Sequence, residues 1–168
     1  HIAHKDHESS NKMMLDFLEI YRKIAEEYLA IPVVKGNKSD SETFAGANLT
    51  TTIEALMPDG KALQAATSHD LGQNFSRKEA FDVSFQDDQG ETQYVHLTSH
   101  GLSTRILGAL IMVHGDNDGV VIPPKVAPYQ VMIVTVNQDE KVISFTKELQ
   151  KLLAEKGVRT TIDDTDNR

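Results

Sequence analysis

The sequence has no cysteine among its 168 residues. That excludes disulfides, thiolate zinc sites and cysteine nucleophiles within the chain, and it fits a reducing compartment, with the cytoplasm as the default expectation. No apolar run approaches the roughly 18 residues that a membrane-spanning helix needs, and no basic stretch leads into an apolar one at the start, so no membrane association is expected. Positive charge is scarce: 17 Lys and Arg stand against 25 Asp and Glu, for a net charge of −8 and a pI near 5.3. A general nucleic-acid or membrane-coating surface needs a concentrated positive field, which this balance does not supply. There are no internal repeats, no low-complexity tracts, and no glycine pattern of a P-loop or a dinucleotide site. A chain of this length buries one core, with room for a small second unit.

What is present reads as a series of distinct pieces. The opening "HIAHKDHE" has no Met and reads like the interior of something longer. His1, His4 and His7 recur every third residue, which is not the spacing of a helical pair of zinc ligands. Ser9 or Ser10 is placed to cap a helix. After it Met14, Phe17, Leu18, Tyr21, Ile24, Ala25 and Tyr28 recur at threes and fours, predicting an amphipathic helix that ends near Pro32. "IPVVKG" reads as a short strand. The turn signal "PDG" predicts a hairpin with strands near 48–56 and 61–67. A second hairpin turns around Gln89 and Gly90, with its return strand at about 92–98. Residues 102–115 are apolar nearly all round, predicting a buried helix laid on the sheet. The Pro-bearing "VIPPKVAP" marks a boundary. Beyond it an apolar strand "YQVMIVTV", a helix over 139–156 with Gly157 as its cap, and a strand "VRTTID" predict a βαβ unit.

Two features carry chemistry. From Leu97 to Gly115 the only full charge is Arg105. A guanidinium among apolar residues needs a carboxylate or a bound anion, because an unpaired buried charge costs several kcal/mol or more. Its place in the first turn of a helix, beside Ser103 and Thr104, suits a phosphate. The other reading pairs Arg105 with a buried carboxylate, and Glu54 on the neighbouring hairpin is the candidate. The second feature is "KALQAATSHDLGQNF", residues 61–75, where Gln64, Thr67, Ser68, His69, Gln73 and Asn74 collect short hydrogen-bonding side chains with few charges. Such a cluster suits a pocket that reads a small polar ligand. It equally suits a loop that satisfies its own backbone.

In order, five stretches resemble an internal portion of a prolyl-tRNA synthetase, a class II aminoacyl-tRNA synthetase of the type shared by archaea, eukaryotes and some bacteria. They are "HIAH" with the long helix after it, "IPVVKGNKSDSETFAGANLTTTIEAL", "ALQAATSHDLGQNF", "GLSTRILGALIMVHGDNDGVVIPPKVAP", and "YQVMIVTV" through "IDDTDNR". The resemblance implies an α+β fold. Residues 1–126 would be the later part of a class II catalytic domain, an antiparallel sheet with helices. Residues 127–168 would be the start of an α/β anticodon-binding domain. It implies an ATP-dependent activation of L-proline to prolyl-adenylate and transfer to tRNA(Pro), with Mg²⁺ as cofactor and a homodimeric parent. By matching positions, His1, Phe44, His69 and Gly101 would lie at the proline pocket. Gln64, Thr67, Ser103, Thr104 and Arg105 would bind ATP, with Arg105 the catalytic contact to phosphate. The polar cluster then becomes the wall shared by amino acid and nucleotide.

The chain departs from that pattern in two ways. The first class II motif and the Arg-x-Glu part of the second are absent, so the isolated chain is expected to be a poor ligase. "TSHGLSTR" has His100 where the family has Trp, which implies a pocket that loses an apolar wall and gains a titratable ring. The stretch from His4 to Gly101 is also too short to hold an inserted editing domain. The rival readings are a synthetase-like binding or regulatory module that does not ligate, and a free-standing anticodon binder.

Overall fold

The structure, a computed structural model, describes residues 1–165. They form two compact units, residues 1–121 and 122–165.

In the first unit a short strand β1 (Ile2–His4) leads into helix α1 (His7–Lys23). The cap is Asp6, whose carboxylate accepts the Ser9 N–H at 2.7 Å; the expected caps Ser9 and Ser10 lie inside the first turn. Ser10 instead turns its hydroxyl back to the His7 carbonyl, as a serine within a helix does when no free N–H is in reach. Met14, Leu18 and Tyr21 are the buried apolar side chains of α1, the stripe that the threes and fours predict. The helix loosens into a π-turn over Ile24–Tyr28 and stops before Pro32.

The sheet that α1 covers is five-stranded and antiparallel, in the order β1, β7, β4, β3, β2. Its other members are β2 (Val34–Asn37), β3 (Leu49–Leu56), β4 (Ala62–Gly72) and β7 (His96–Leu102). On β3, Ile53 and Ala55 face the core with α1, while Thr50, Thr52 and Glu54 face the other way, each opposite a polar residue of β4. A bulge lets Ile53 pair with Ala66 but Glu54 pair with Gln64, leaving Ala65 extra. Gln64 and Thr67 are three apart, so a regular strand would send them to opposite faces. The bulge puts both on the open face.

The strand expected at 92–98 is two strands. β5 (Ser84–Gln86) pairs with β6 (Thr92–Tyr94) as a separate ribbon, whereas β7 joins the main sheet. The break has a cause: Gln73 Nε2 donates to the Tyr94 carbonyl and Ser76 Oγ to the Val95 carbonyl, which ends the ribbon there. The next helix, α2 (Arg105–His114), buries Ile106, Ala109 and Leu110 in the same core as α1. It is not buried all round, because Leu107, Ile111 and Met112 are 54%, 49% and 45% exposed.

The second unit is a strand, helix and strand. β8 (Val131–Val134) and β9 (Thr160–Asp163) are parallel neighbours connected through α3 (Glu140–Glu155). The Arg159 guanidinium gathers the carbonyls of Pro124, Lys125 and Ala127 at 2.8–3.1 Å, fixing the proline-rich segment within this unit. No helix among the described residues is long and apolar enough to cross a membrane.

Candidate functional site

The open face of the sheet, away from α1, carries two adjoining clefts. One, of about 280 Å³, is lined by Phe44, Thr50 and His69 together with Gln64, Thr67 and Lys38. The other, of about 300 Å³, shares Gln64 and Thr67 and is completed by Gly101, Ser103 and Arg105. Cross-strand register explains the grouping. His69 pairs with Ser99 and Thr67 with Gly101, so polar side chains of β4 stand beside the backbone of β7 on one face. Gly101 leaves open space where a Cβ would sit. Among the described residues the Gln64 amide and the Thr67 hydroxyl make no hydrogen bond, so both are available to a ligand. The cluster in residues 61–75 is therefore divided. Gln64, Thr67 and His69 face the clefts, while Ser68 faces α1, and Gln73 and Asn74 hold backbone and neighbouring side chains in place.

His69 is fixed by Thr50. Its Nδ1 lies 2.9 Å from Thr50 Oγ1, and the same hydroxyl oxygen accepts the Phe44 N–H at 3.2 Å. The Thr50 hydroxyl thus ties the His69 ring to the Phe44 backbone and holds the imidazole in one orientation. Burial lowers the His69 pKa below its ordinary value, favouring the neutral ring. The ring of Phe44 tilts against it with centroids 5.4 Å apart. The result is a small site with an aromatic side and a neutral imidazole.

Arg105 is exposed, against the expectation of a buried guanidinium. It donates through Nη1 to the Gln64 carbonyl at 3.3 Å. Glu54, its candidate partner, is taken by Lys38 at 2.6 Å, and no carboxylate pairs with Arg105 among the described residues. Its backbone N–H meets Ser103 Oγ at 3.3 Å, and the next two amides go to the Ser103 and Thr104 carbonyls. The anion-binding capacity here rests on the guanidinium rather than on free helix amides. Thr104, at the helix cap position, is exposed and makes no side-chain cap bond.

No protein-family model matches the chain. It is 53% identical over 168 residues to a proline–tRNA ligase of Acetoanaerobium sticklandii and 55% identical over 167 residues to one of Oceanobacillus iheyensis, covering 99% of this chain and 34% of each of them. A crystal structure of prolyl-tRNA synthetase from Cryptosporidium parvum, complexed with L-proline and AMP, superposes with a TM-score of 0.90 at 46% identity, covering 99% of this chain and 36% of that one. The chain matches a segment of prolyl-tRNA synthetases. It spans about a third of the length of the relatives it matches.

Among the residues that the prolyl-tRNA synthetase resemblance singles out, the structure brings together Phe44 and His69 in one cleft and Gly101, Ser103 and Arg105 in the other, with Gln64 and Thr67 between. His1 lies ahead of β1, is exposed, and lines neither cleft. His100 does not alter the pocket. It pairs with Ser68 on the face toward α1, where its ring stacks on Phe17 with centroids 3.9 Å apart and planes within 6°. Ser68 Oγ donates to the Met14 carbonyl and therefore accepts from His100 Nδ1–H at 2.7 Å. Thr98 then donates to His100 Nε2 at 2.9 Å and accepts from His4 Nε2–H at 3.1 Å. Every proton in this chain of bonds has one place to go, and burial first, then the nearby His4 and His69, push His100 down to about 4.

The residues that the sequence reading missed are Thr50 and Lys38. Thr50 is one of three consecutive threonines, and only the strand register tells which of them faces the cleft. Lys38 sits in a loop that looks solvated, and nothing local announces that its ammonium folds back onto Glu54.

Proposed function

We propose that the chain is the part of a proline–tRNA ligase that holds L-proline and the phosphates of ATP during formation of prolyl-adenylate. The observation that carries this is the shared wall: Gln64 and Thr67 belong to both the His69 cleft and the Arg105 cleft, so an amino acid in one has its carboxylate directed toward a nucleotide in the other. The joint presence of L-proline and AMP in the Cryptosporidium parvum relative supports the same arrangement. In the reaction a proline carboxylate oxygen attacks the α-phosphorus, pyrophosphate leaves, and the tRNA 3′-terminal hydroxyl later displaces AMP from the acyl carbon. No protein nucleophile takes part, which suits a chain without cysteine.

In this reading Arg105 stabilises charge that grows on the phosphate, and Ser103 and Thr104 flank it. Gln64 and Thr67 orient the nucleotide, while Phe44 and His69 hold the proline ring, with Gly101 leaving room between strands. Mg²⁺ accompanies ATP as part of the substrate. No group of three or more His, Asp or Glu among the described residues could hold a metal. The first unit belongs to a class II catalytic domain, and the βαβ unit is the start of an anticodon-binding domain that recognises tRNA(Pro). The intact enzyme works as a homodimer in the cytoplasm.

The test is proline-dependent exchange of pyrophosphate into ATP by the full-length protein that carries this chain. Exchange is expected with proline and not with other standard amino acids. Binding of proline or ATP without exchange would replace the ligase by a synthetase-like module.

A further inference from the structure

The clefts have a wall that the resemblance does not assign. The Lys38 N–H donates to the Thr50 carbonyl at 2.8 Å, so its backbone sits at the level of the Thr50 and His69 pair. Its ammonium reaches Glu54 at 2.6 Å, which pairs with Gln64 further along β3. The stem is thus fixed at both ends, its side chain only 13% exposed, and it runs along the β3 side of the His69 cleft from the level of His69 to that of Gln64. Behind it lies a further space of about 250 Å³, lined by Val34, Gly36, Asn37, Thr52 and Glu54. Lys38 and Glu42 line both spaces, and Glu42 is an exposed residue whose carboxylate is 3.9 Å from the Lys38 ammonium.

We propose that Lys38, pinned by Glu54, is the partition that sets how large an amino acid the His69 cleft accepts. This rests on the proline-activating reading of that cleft. A charged stem held at both ends is a firmer boundary than an apolar side chain free to change rotamer, and the ion pair leaves no uncompensated charge against the ring of the substrate. Discrimination against one extra methylene depends on such a wall, because an added CH₂ changes binding by only about one to two orders of magnitude even in a well-shaped pocket. Removing the stem joins the His69 cleft to the space over Thr52.

The test is pyrophosphate exchange by the full-length protein with proline and with pipecolic acid, its homologue with a six-membered ring. In Lys38→Ala the ratio of kcat/KM for proline over pipecolate is expected to fall about tenfold or more, mainly because pipecolate gains, while Lys38→Arg, which keeps the pair with Glu54, holds the ratio near that of the wild type. A ratio unchanged in Lys38→Ala, with both substrates losing equally, means that the pair only supports the fold and overturns the proposal. If Lys38→Ala does not fold, Glu54→Ala is used, which removes the acceptor and releases the stem without shortening it; a smaller fall of the ratio in the same direction is expected, and an unchanged ratio overturns the proposal. Absence of proline exchange in the wild type would overturn the ligase reading itself, a result distinct from retained exchange with retained discrimination.

Discussion

At the residue scale, the uncommitted side chains of the open face define the site. Arg105, the only full charge in a long apolar stretch, is exposed rather than buried, and among the described residues no carboxylate neutralises it, so its charge is free for a phosphate. Arg105→Ala is expected to lower proline-dependent exchange by about 10²–10³-fold, the usual loss for one charge-stabilising donor; the assay is steady-state exchange on the full-length protein. His69→Ala is expected to raise KM for proline more than KM for ATP, since the ring lines only the Phe44 cleft. Equal losses for the two would place His69 outside the amino-acid site.

His100 gives a residue-scale prediction on the other face. Its pKa is held down to about 4 in the fold against about 6.5 in an unfolded chain. Between those values the unfolded state takes up a proton that the folded state refuses, so the contribution is fully present above about pH 6.5 and is lost as pH falls toward about 4. His4 and His69 are lowered as well and act in the same direction. Urea denaturation across that range is expected to show stability falling with pH, and less steeply in His100→Gln. An identical slope in the variant would mean that His100 is not a half-buried neutral ring.

At the element scale, β4 is the piece on which the site depends. Its hairpin with β3 was legible from "PDG" and the β-branched residues around it, and α1 from its apolar period. The bulge at Ala65 was not, because a run of small residues in "ALQAATS" does not mark which one is extra, and without it Gln64 and Thr67 cannot share a face. The separation of His100 from the pocket was hidden for the same reason: alternation says that His100 and Gly101 face opposite ways, but only the pairing with Ser68 says which way is the helix. β4 ends at Gly72, which has a φ of +51° and whose added Cβ would meet Asn48 Nδ2 at 2.2 Å. Gly72→Ala is expected to destabilise the protein by about 1–2 kcal/mol from the left-handed backbone alone, read as a lower urea midpoint with an unchanged slope. Wild-type stability in this variant would show that β4 tolerates a different ending.

At the scale of the whole molecule, the described residues leave apolar surface on several elements. Leu107, Ile111 and Met112 stand out from α2, and in the second unit Met132, Val134, Phe145 and Leu152 are exposed on β8 and α3. The chain spans about a third of the length of the relatives it matches, and apolar faces of this kind mark surfaces suited to packing against other protein. In the proposed function the two adjoining clefts hold the two halves of one adenylate. The most direct measurement is a crystal structure of the full-length protein with a non-hydrolysable prolyl-adenylate analogue. The expected result is the pyrrolidine ring between Phe44 and His69, the bridging group over Gln64 and Thr67, and Arg105 on the phosphate-mimicking oxygens. An analogue bound elsewhere, or one that leaves Gln64, Thr67 and Arg105 untouched, would contradict it.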